Sequence, residues 1–159
     1  MSPTTDSARA IRIERKIAAT PEEVWSLVAD ITCMGKWSSE NTGGQWMRGA
    51  KGPALGAHFR GTNSHGKKTW SSDCVVTACE PGRRFGFDVK VKGLKVAGWT
   101  YEFEPLDGGC RVVETWEDHR GALVAFLAPL ATGVKDRAAR NRETMAHTLE
   151  RLAASAEKS

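Results

Sequence analysis

Hydrophobic and charged residues alternate along much of the chain, beginning at Ile11, Ile13 and Ile17, which charged residues separate. A period of two predicts a half-buried strand at this point. The same alternation, with glycine and proline at the intervening turns, predicts further strands at residues 45–48, 57–63, 68–79, 84–92, 95–104 and 110–118, and a loop at residues 41–44. Short turns between successive strands predict antiparallel neighbours.

A short helix is predicted directly after the first strand. Thr20 is a good N-cap, Pro21 suits the first helical turn, and Glu23 is placed to complete a capping box. A second short helix is predicted at residues 30–36, ending at Gly35. Because a helix follows the first strand, that strand has to pair with a strand that comes later in the sequence.

The C-terminal part of the chain carries a helical pattern. Apolar and small polar residues recur near a spacing of 3.6 and predict the buried face of a long helix: Val134, Ala138, Asn141, Met145, Thr148, Leu149 and Leu152. Before it, residues 122–130 are apolar but short, and predict a half-helix broken from the long helix by Pro129 and Gly133. A sheet covered by one long helix leaves a hollow between them, and this order of elements indicates ligand binding.

Candidate ligand-binding residues are those that the alternation places on the covered face of the sheet, with those of the helices opposite. These residues could fill a compact core or line an internal cavity, since a pocket for an organic ligand is mostly apolar and aromatic, with a few polar groups. The candidates are Trp25, Phe59, Trp70, Phe87, Trp99, Tyr101, Glu114, Trp116, Asn141 and Met145.

The register of the last strand has two solutions. One places Cys110, Val112, Glu114 and Trp116 inside; the other places Val113 inside and turns Trp116 outward. We prefer the first, because it covers the tryptophan. Glu114 would then be a carboxyl in apolar surroundings with a raised pKa, serving either as a general acid/base or as the partner of an arginine on the helix.

Composition excludes several classes of protein. The length of 159 residues suits one domain, expected at residues 10–155 after a disordered tail at 1–9. The formal net charge of +4 is mild, and no dense basic face with interleaved aromatics indicates a nucleic-acid partner. No apolar run is long enough to span a membrane, and no secretory signal is present, so we expect a cytoplasmic protein.

The residues that could support cofactor chemistry are scattered. The four cysteines and four histidines show no metal-ligand spacing, so we expect reduced thiols, no metal and no cofactor. The glycine pairs lack the strand-to-helix context of a nucleotide motif. No nucleophile elbow or convergent acid–base pair is present, and the question of an enzymatic activity stays open.

Several segments resemble the START-like (SRPBCC, Bet v 1-like) superfamily, in particular its polyketide cyclase/dehydrase branch. The resemblance covers about residues 10–155 and is carried by residues 20–25 (TPEEVW), Asp30, Trp37, and residues 56–61 (GAHFRG), 80–85 (EPGRRF), 99–105 (WTYEFEP) and 108–112 (GGCRV). It implies an α+β helix-grip fold, in which a curved antiparallel sheet wraps round a long C-terminal helix, with two short helices after the first strand.

We consider three functions, of which the second follows from the resemblance. The first is the binding of a small hydrophobic or aromatic molecule, lipid-like or polyketide-like, in an internal cavity by a monomer or homodimer. The second is a polyketide cyclase, aromatase or dehydratase that uses the same cavity, with Glu114 as the acid/base. The third is a regulatory or interaction protein, of a stress or toxin–antitoxin type, that uses the outer sheet face near Lys90, Lys92 and Lys95.

The apolar segment from Leu123 to Leu130 has three possible roles, because it carries too many apolar side chains for an ordinary solvated connection. It could cap the core, form a movable lid over the cavity, or bury against a second copy of the chain.

Overall fold

The computed structural model describes residues 9–158. Seven strands form one antiparallel sheet, β1 (Ala10–Ile17), β2 (Asn41–Met47), β3 (His58–His65), β4 (Lys68–Glu80), β5 (Arg84–Val91), β6 (Leu94–Leu106) and β7 (Gly109–Asp118). The helices are α1 (Pro21–Ala29), α2 (Met34–Trp37), α3 (Ala122–Thr132) and α4 (Arg137–Ala156), and a 3₁₀ turn at Ile31–Cys33 precedes α2. Of the tail predicted at residues 1–9, all but Arg9 lies outside the described residues.

The strand order across the sheet is β1-β7-β6-β5-β4-β3-β2. The first strand therefore pairs with the last, Ile11 opposite Trp116 and Ile17 opposite Cys110, as the helix after β1 required. Register shifts occur in three strand pairs, β2–β3, β4–β5 and β5–β6. Such irregularities bend and twist a sheet locally, and the predicted curved α+β arrangement is confirmed.

Helix α1 begins where the sequence predicted. The Thr20 hydroxyl oxygen accepts a hydrogen bond of 3.1 Å from the Glu23 backbone N–H, and Pro21 occupies the first turn. This bond satisfies one of the amide groups that the start of a helix leaves without an intrahelical partner. The cap fixes α1 across the end of the sheet, with Val24 and Val28 buried.

The region after α1 differs from the prediction. The second short helix is divided into the 3₁₀ turn and α2, and Gly35 lies inside α2 instead of ending it. The predicted loop at residues 41–44 is part of β2. A Cβ atom at Gly44 would lie 2.5 Å from the Ile31 carbonyl oxygen, so the missing side chain lets the strand cross closely over the 3₁₀ turn. Glycine at this position allows the strand backbone to approach the 3₁₀ turn closely, and it does not mark a loop.

Helix α4 covers the sheet with one face. Asp136 caps it, accepting a hydrogen bond of 3.1 Å from the Ala139 N–H. The buried positions are Asn141, Thr144, Met145, Thr148, Leu149, Leu152, Ala153 and Ala156. Val134 is buried too but precedes the helix, which begins at Arg137. Within residues 9–158, no helix has the length and apolar character needed to cross a membrane.

Candidate ligand-binding cavity

A cavity of about 620 Å³ lies between the sheet and α4. Strands β2 to β7 supply one wall, and residues of the four helices supply most of the rest. Ligand pockets commonly measure roughly 300–1,000 Å³, so this cavity has room for a ligand of drug-like size. Curvature of the sheet holds its covered face away from α4, and the space between them is only partly filled by side chains.

Nine of the ten residues predicted for the site line the cavity, namely Phe59, Trp70, Phe87, Trp99, Tyr101, Glu114, Trp116, Asn141 and Met145. The aromatic side chains form contiguous walls. The rings of Phe59 and Phe87 meet edge to face with centroids 5.1 Å apart, and those of Trp99 and Trp116 lie 6.5 Å apart. Such pairs pack rigidly and expose an apolar, polarizable surface to the cavity.

Trp25 is the exception. It is buried in the core beside the cavity, where its ring packs edge to face on Phe85 with centroids 6.4 Å apart. Its indole N–H donates a hydrogen bond of 2.9 Å to the Arg84 carbonyl oxygen. Both the ring and the polar atom of Trp25 are therefore engaged by the protein, and the expectation that it lines the cavity is wrong.

Of the two registers predicted for β7, the structure has the one that we preferred, with Trp116 inside. Cys110, Val112, Glu114 and Trp116 are all buried on the covered face. Glu114 is only 1% exposed. The Tyr101 hydroxyl donates a hydrogen bond of 2.8 Å to Glu114 Oε1. The alternative in which Glu114 pairs with an arginine of the helix is therefore wrong, because a tyrosine on the neighbouring strand takes that place.

Burial makes the Glu114 carboxyl a weak acid. Loss of water around the charged form raises its pKa to about 8, and the hydrogen bond from Tyr101 only partly opposes this. Burial, together with the nearby Glu114 carboxyl, also raises the pKa of Tyr101 well above its ordinary value. At pH 7 the carboxyl is mostly protonated, so it can donate a hydrogen bond as well as accept one.

Two buried polar side-chain atoms in the described part of the chain have no hydrogen-bond partner, Trp37 Nε1 and Glu114 Oε2. Both residues line the cavity. An unpartnered buried polar group costs roughly 1–3 kcal/mol, so a hydrogen-bond partner at either atom would be favourable. The indole N–H can only donate, and a protonated Glu114 offers a second donor.

A charged cluster lies at another part of the wall. Glu40 accepts hydrogen bonds from Arg137 Nη1 at 2.6 Å and from Arg140 Nε at 3.3 Å. Arg137 also donates to Asn141 Oδ1 at 3.3 Å and stacks over the Trp70 ring at 5.8 Å. The cluster joins the segment before β2 to the start of α4 and fixes the side chain of Asn141.

Sequence reasoning missed Trp37, Glu40 and Arg137 as lining residues. A signal existed for Arg137, since positions 137 and 141 lie one turn apart on the same helix face. No local signal existed for Glu40, which meets Arg137 across 97 positions of sequence.

The residues that line the cavity give little support to a nucleophilic or metal-dependent reaction. Cys74 lines it, but burial raises the pKa of this thiol to about 12, so the reactive thiolate is scarce at neutral pH. Across the described residues, no group of three or more His, Cys, Asp or Glu side chains is placed to hold a metal ion. Glu114 is therefore the lining group whose ionisation is best matched to proton transfer near neutral pH.

Helix α3 lies over the cavity. Val124, Leu127 and Ala128 line the cavity, yet no residue of α3 is buried. Leu123, Phe126 and Leu130 are 71–78% exposed. The core-cap role for this segment is therefore wrong, because its largest side chains point into solvent instead of into the core.

The chain belongs to the family described as polyketide cyclase / dehydrase and lipid transport, since the model of that family matches residues 8–157. This confirms the resemblance stated from the sequence. No curated protein matches the chain.

Several solved structures are similar to this one. The Polyketide_cyc-like protein Cgl2372 from Corynebacterium glutamicum is 29% identical, with a TM-score of 0.59, over 96% of this chain and 91% of its own. Protein CV1439 from Chromobacterium violaceum is 16% identical, with a TM-score of 0.70, over 94% of this chain and 98% of its own. The di-domain ARO/CYC StfQ of the steffimycin biosynthetic pathway is 12% identical, with a TM-score of 0.70, over 95% of this chain and 52% of its own. The last two likenesses show the helix-grip fold alone.

Proposed function

We propose that the protein binds one small, mostly apolar molecule, hydrophobic or aromatic and of lipid or polyketide type, in the cavity between the sheet and α4. The observation that carries the proposal is a cavity of about 620 Å³ whose lining combines aromatic walls with two buried, unpartnered polar atoms. A filled core would have favoured a protein that acts only through its outer surface. The family description, which includes lipid transport, agrees with this proposal.

The two polar atoms narrow the class of ligand. Trp37 Nε1 is a donor, and Glu114 is mostly protonated at neutral pH, so the cavity offers two donors in apolar surroundings. A ligand with carbonyl or ether oxygens satisfies them, whereas a pure hydrocarbon leaves both without a partner. We therefore expect an apolar molecule that carries oxygen acceptors to bind more tightly than a hydrocarbon of equal size.

Native mass spectrometry tests the proposal. Purified protein is incubated with lipid extracts and with a library of aromatic ketones, and the mass of each complex is read directly. We expect complexes of one molecule per chain, each accompanied by a rise in melting temperature. If a broad library gives neither a bound species nor a thermal shift, the proposed function is wrong.

A second candidate is an enzyme, a cyclase, aromatase or dehydratase that acts on a polyketide chain held in the cavity. The observation that favours it is the Glu114 carboxyl, which is buried, bonded to Tyr101 and free at Oε2. Its pKa of about 8 lets it give a proton to a substrate oxygen and take one back near neutral pH. By holding the polyketide chain in a folded conformation, the cavity would bring its reacting groups close together.

Glu114→Gln separates the two candidates. The amide keeps the size of the side chain and cannot transfer a proton in this way. For an enzyme, turnover of a poly-β-keto thioester should fall at least about a hundredfold, as the loss of an acid/base group predicts. The melting temperature and ligand binding should persist. Unchanged turnover in this variant would remove Glu114 from the chemistry.

A further inference from the structure

The large exposed hydrophobic side chains of the described residues are concentrated at one end of the sheet. Because consecutive strands are antiparallel, the β3–β4 turn, the β5–β6 turn and the exit from β7 into α3 lie at that end. Six of the seven exposed large hydrophobics belong to it, Val91, Leu94, Leu123, Phe126, Leu127 and Leu130. The seventh, Leu55, lies in the β2–β3 connection at the opposite end.

These exposed side chains border the cavity. Val91 and Leu127 are 44% and 45% exposed, and both also line the cavity, as does Lys92. The cavity thus reaches the surface between α3 and the β5–β6 turn. An apolar ligand that enters here passes between the exposed apolar side chains of α3 and those of the β5–β6 turn.

The same end carries a concentration of lysines. Residues 89–101 contain Lys90, Lys92 and Lys95 and no acidic residue. Lys67 lies in the β3–β4 turn, and Lys68 begins β4 beside the end of α3. Lys95 pairs with Asp88 at 3.4 Å. The carboxylates of Glu117 and Asp118 at the end of β7 are held by His119 and Arg120. Residues 121–134 carry no charge at all.

We propose that this end of the molecule, the α3 face together with the β5–β6 turn, docks on an anionic lipid bilayer. Apolar side chains flanked by lysines suit the boundary between lipid headgroups and acyl chains, where the apolar groups insert and the ammonium groups meet anionic headgroups. The cavity mouth then faces the bilayer, and an apolar ligand crosses between the two without entering water.

Charge favours a bilayer over a second copy of the chain. In a two-fold dimer the same surface meets itself, so the lysines of one copy would face those of the other. Like charges brought together in this way oppose association. An anionic surface removes that repulsion and turns the same lysines into attractive contacts. The docking goes beyond the proposed function and does not depend on it, whereas the passage of a ligand between cavity and bilayer rests on that function.

Co-sedimentation of the ligand-free protein with vesicles tests the docking. We expect binding to vesicles of equal parts phosphatidylcholine and phosphatidylglycerol, weaker binding to phosphatidylcholine alone, and loss of binding at high salt. Phe126→Ser should weaken binding by about tenfold, from the loss of one inserted aromatic side chain. Lys92→Glu should weaken it at least roughly fivefold.

Leu55→Ser is the matched control, because Leu55 is as exposed as Leu130 but lies at the other end of the sheet. It should leave vesicle binding unchanged. If Phe126→Ser lowers the melting temperature, Leu130→Ser takes its place. No binding to anionic vesicles, equal effects of Leu55→Ser and Phe126→Ser, or a dimer that Phe126→Ser converts to a monomer would each overturn the proposal. Loss of docking with ligand binding in solution intact would leave the proposed function standing.

Discussion

Tyr101 and Glu114 lie directly opposite each other on β6 and β7, and the Tyr101 hydroxyl donates a 2.8 Å hydrogen bond to Glu114 Oε1. This pair sets the electrostatics of the cavity. Tyr101 engages one carboxyl oxygen, burial keeps the proton on the group up to a pH of about 8, and the second oxygen stays available. The protonated Glu114 carboxyl group therefore lies in an apolar wall of the cavity.

Stability should fall as pH rises, because of Glu114. The folded-state pKa of about 8 lies above the ordinary value of 4.5 for a glutamate carboxyl, so the folded chain holds a proton that the unfolded chain releases. The contribution is fully present below pH 4.5 and is lost as the pH rises to about 8. The free energy of unfolding should decrease by at most about 1.4 kcal/mol per pH unit in this window. Urea denaturation across the window measures it.

Glu114→Gln is the control for that pH dependence. The amide does not titrate, and the raised pKa of Tyr101 keeps its hydroxyl protonated over the whole window. The difference between the two proteins therefore isolates Glu114. Parallel stability curves for the wild type and Glu114→Gln would mean that the carboxyl is ionised in the fold or paired in another way.

Tyr101→Phe should destabilise the fold by about 1–3 kcal/mol, because it leaves Glu114 Oε1 buried without a donor. It should also raise the pKa of Glu114 further, since the tyrosine hydrogen bond lowers it. A double-mutant cycle with Glu114→Gln measures the coupling between the two side chains. Additive effects in that cycle would contradict a direct bond between them.

Glu40→Gln should cost about 2 kcal/mol, because it weakens two charge-assisted hydrogen bonds to Arg137 and Arg140 at a site where all three side chains are only 14–18% exposed. The exposed pair Arg60–Asp73 supplies the comparison. Asp73→Asn should change stability by less than about 1 kcal/mol. Thermal denaturation of both variants checks the ranking, and equal losses would show that the Glu40 cluster behaves as an ordinary surface pair.

Gly44→Ala should destabilise the fold by about 1–3 kcal/mol, because the added methyl group would lie 2.5 Å from the Ile31 carbonyl oxygen. Gly43→Ala, one position earlier, should be tolerated within about 0.5 kcal/mol, since its Cβ would lie 3.8 Å from the Thr62 hydroxyl, an ordinary contact. Urea midpoints of the two variants distinguish them. A tolerated Gly44→Ala would mean that β2 and the 3₁₀ turn are farther apart than described.

Much of the fold could be predicted from the sequence because its signals are local. The alternation of hydrophobic and charged residues predicted the strands, and the cap at Thr20 predicted the start of α1. The inward face of β7 followed from the need to cover Trp116. By contrast, Gly43-Gly44 is typical of a loop, and only a contact with the distant 3₁₀ turn makes it a strand.

The missed parts of the site depend on contacts between distant residues. Glu40 and Arg137 meet across 97 positions, and the partner of Glu114 depends on the registers of two strands at once. Trp25 has the character of a pocket residue, but the Arg84 carbonyl oxygen takes its indole N–H. The apolar composition of α3 did not decide whether its largest side chains face the core or the solvent.

The binding of N-phenylnaphthylamine, a neutral aromatic probe whose fluorescence rises in apolar surroundings, tests the cavity as a ligand site most directly. Thr144 lines the cavity, whereas Ala146, on the same helix, is exposed. We predict saturable binding of one probe per chain that Thr144→Phe weakens, because the added ring takes up part of the cavity, and that Ala146→Phe leaves intact. No saturable binding to the wild type, or equal binding to the two variants, would contradict an internal binding site.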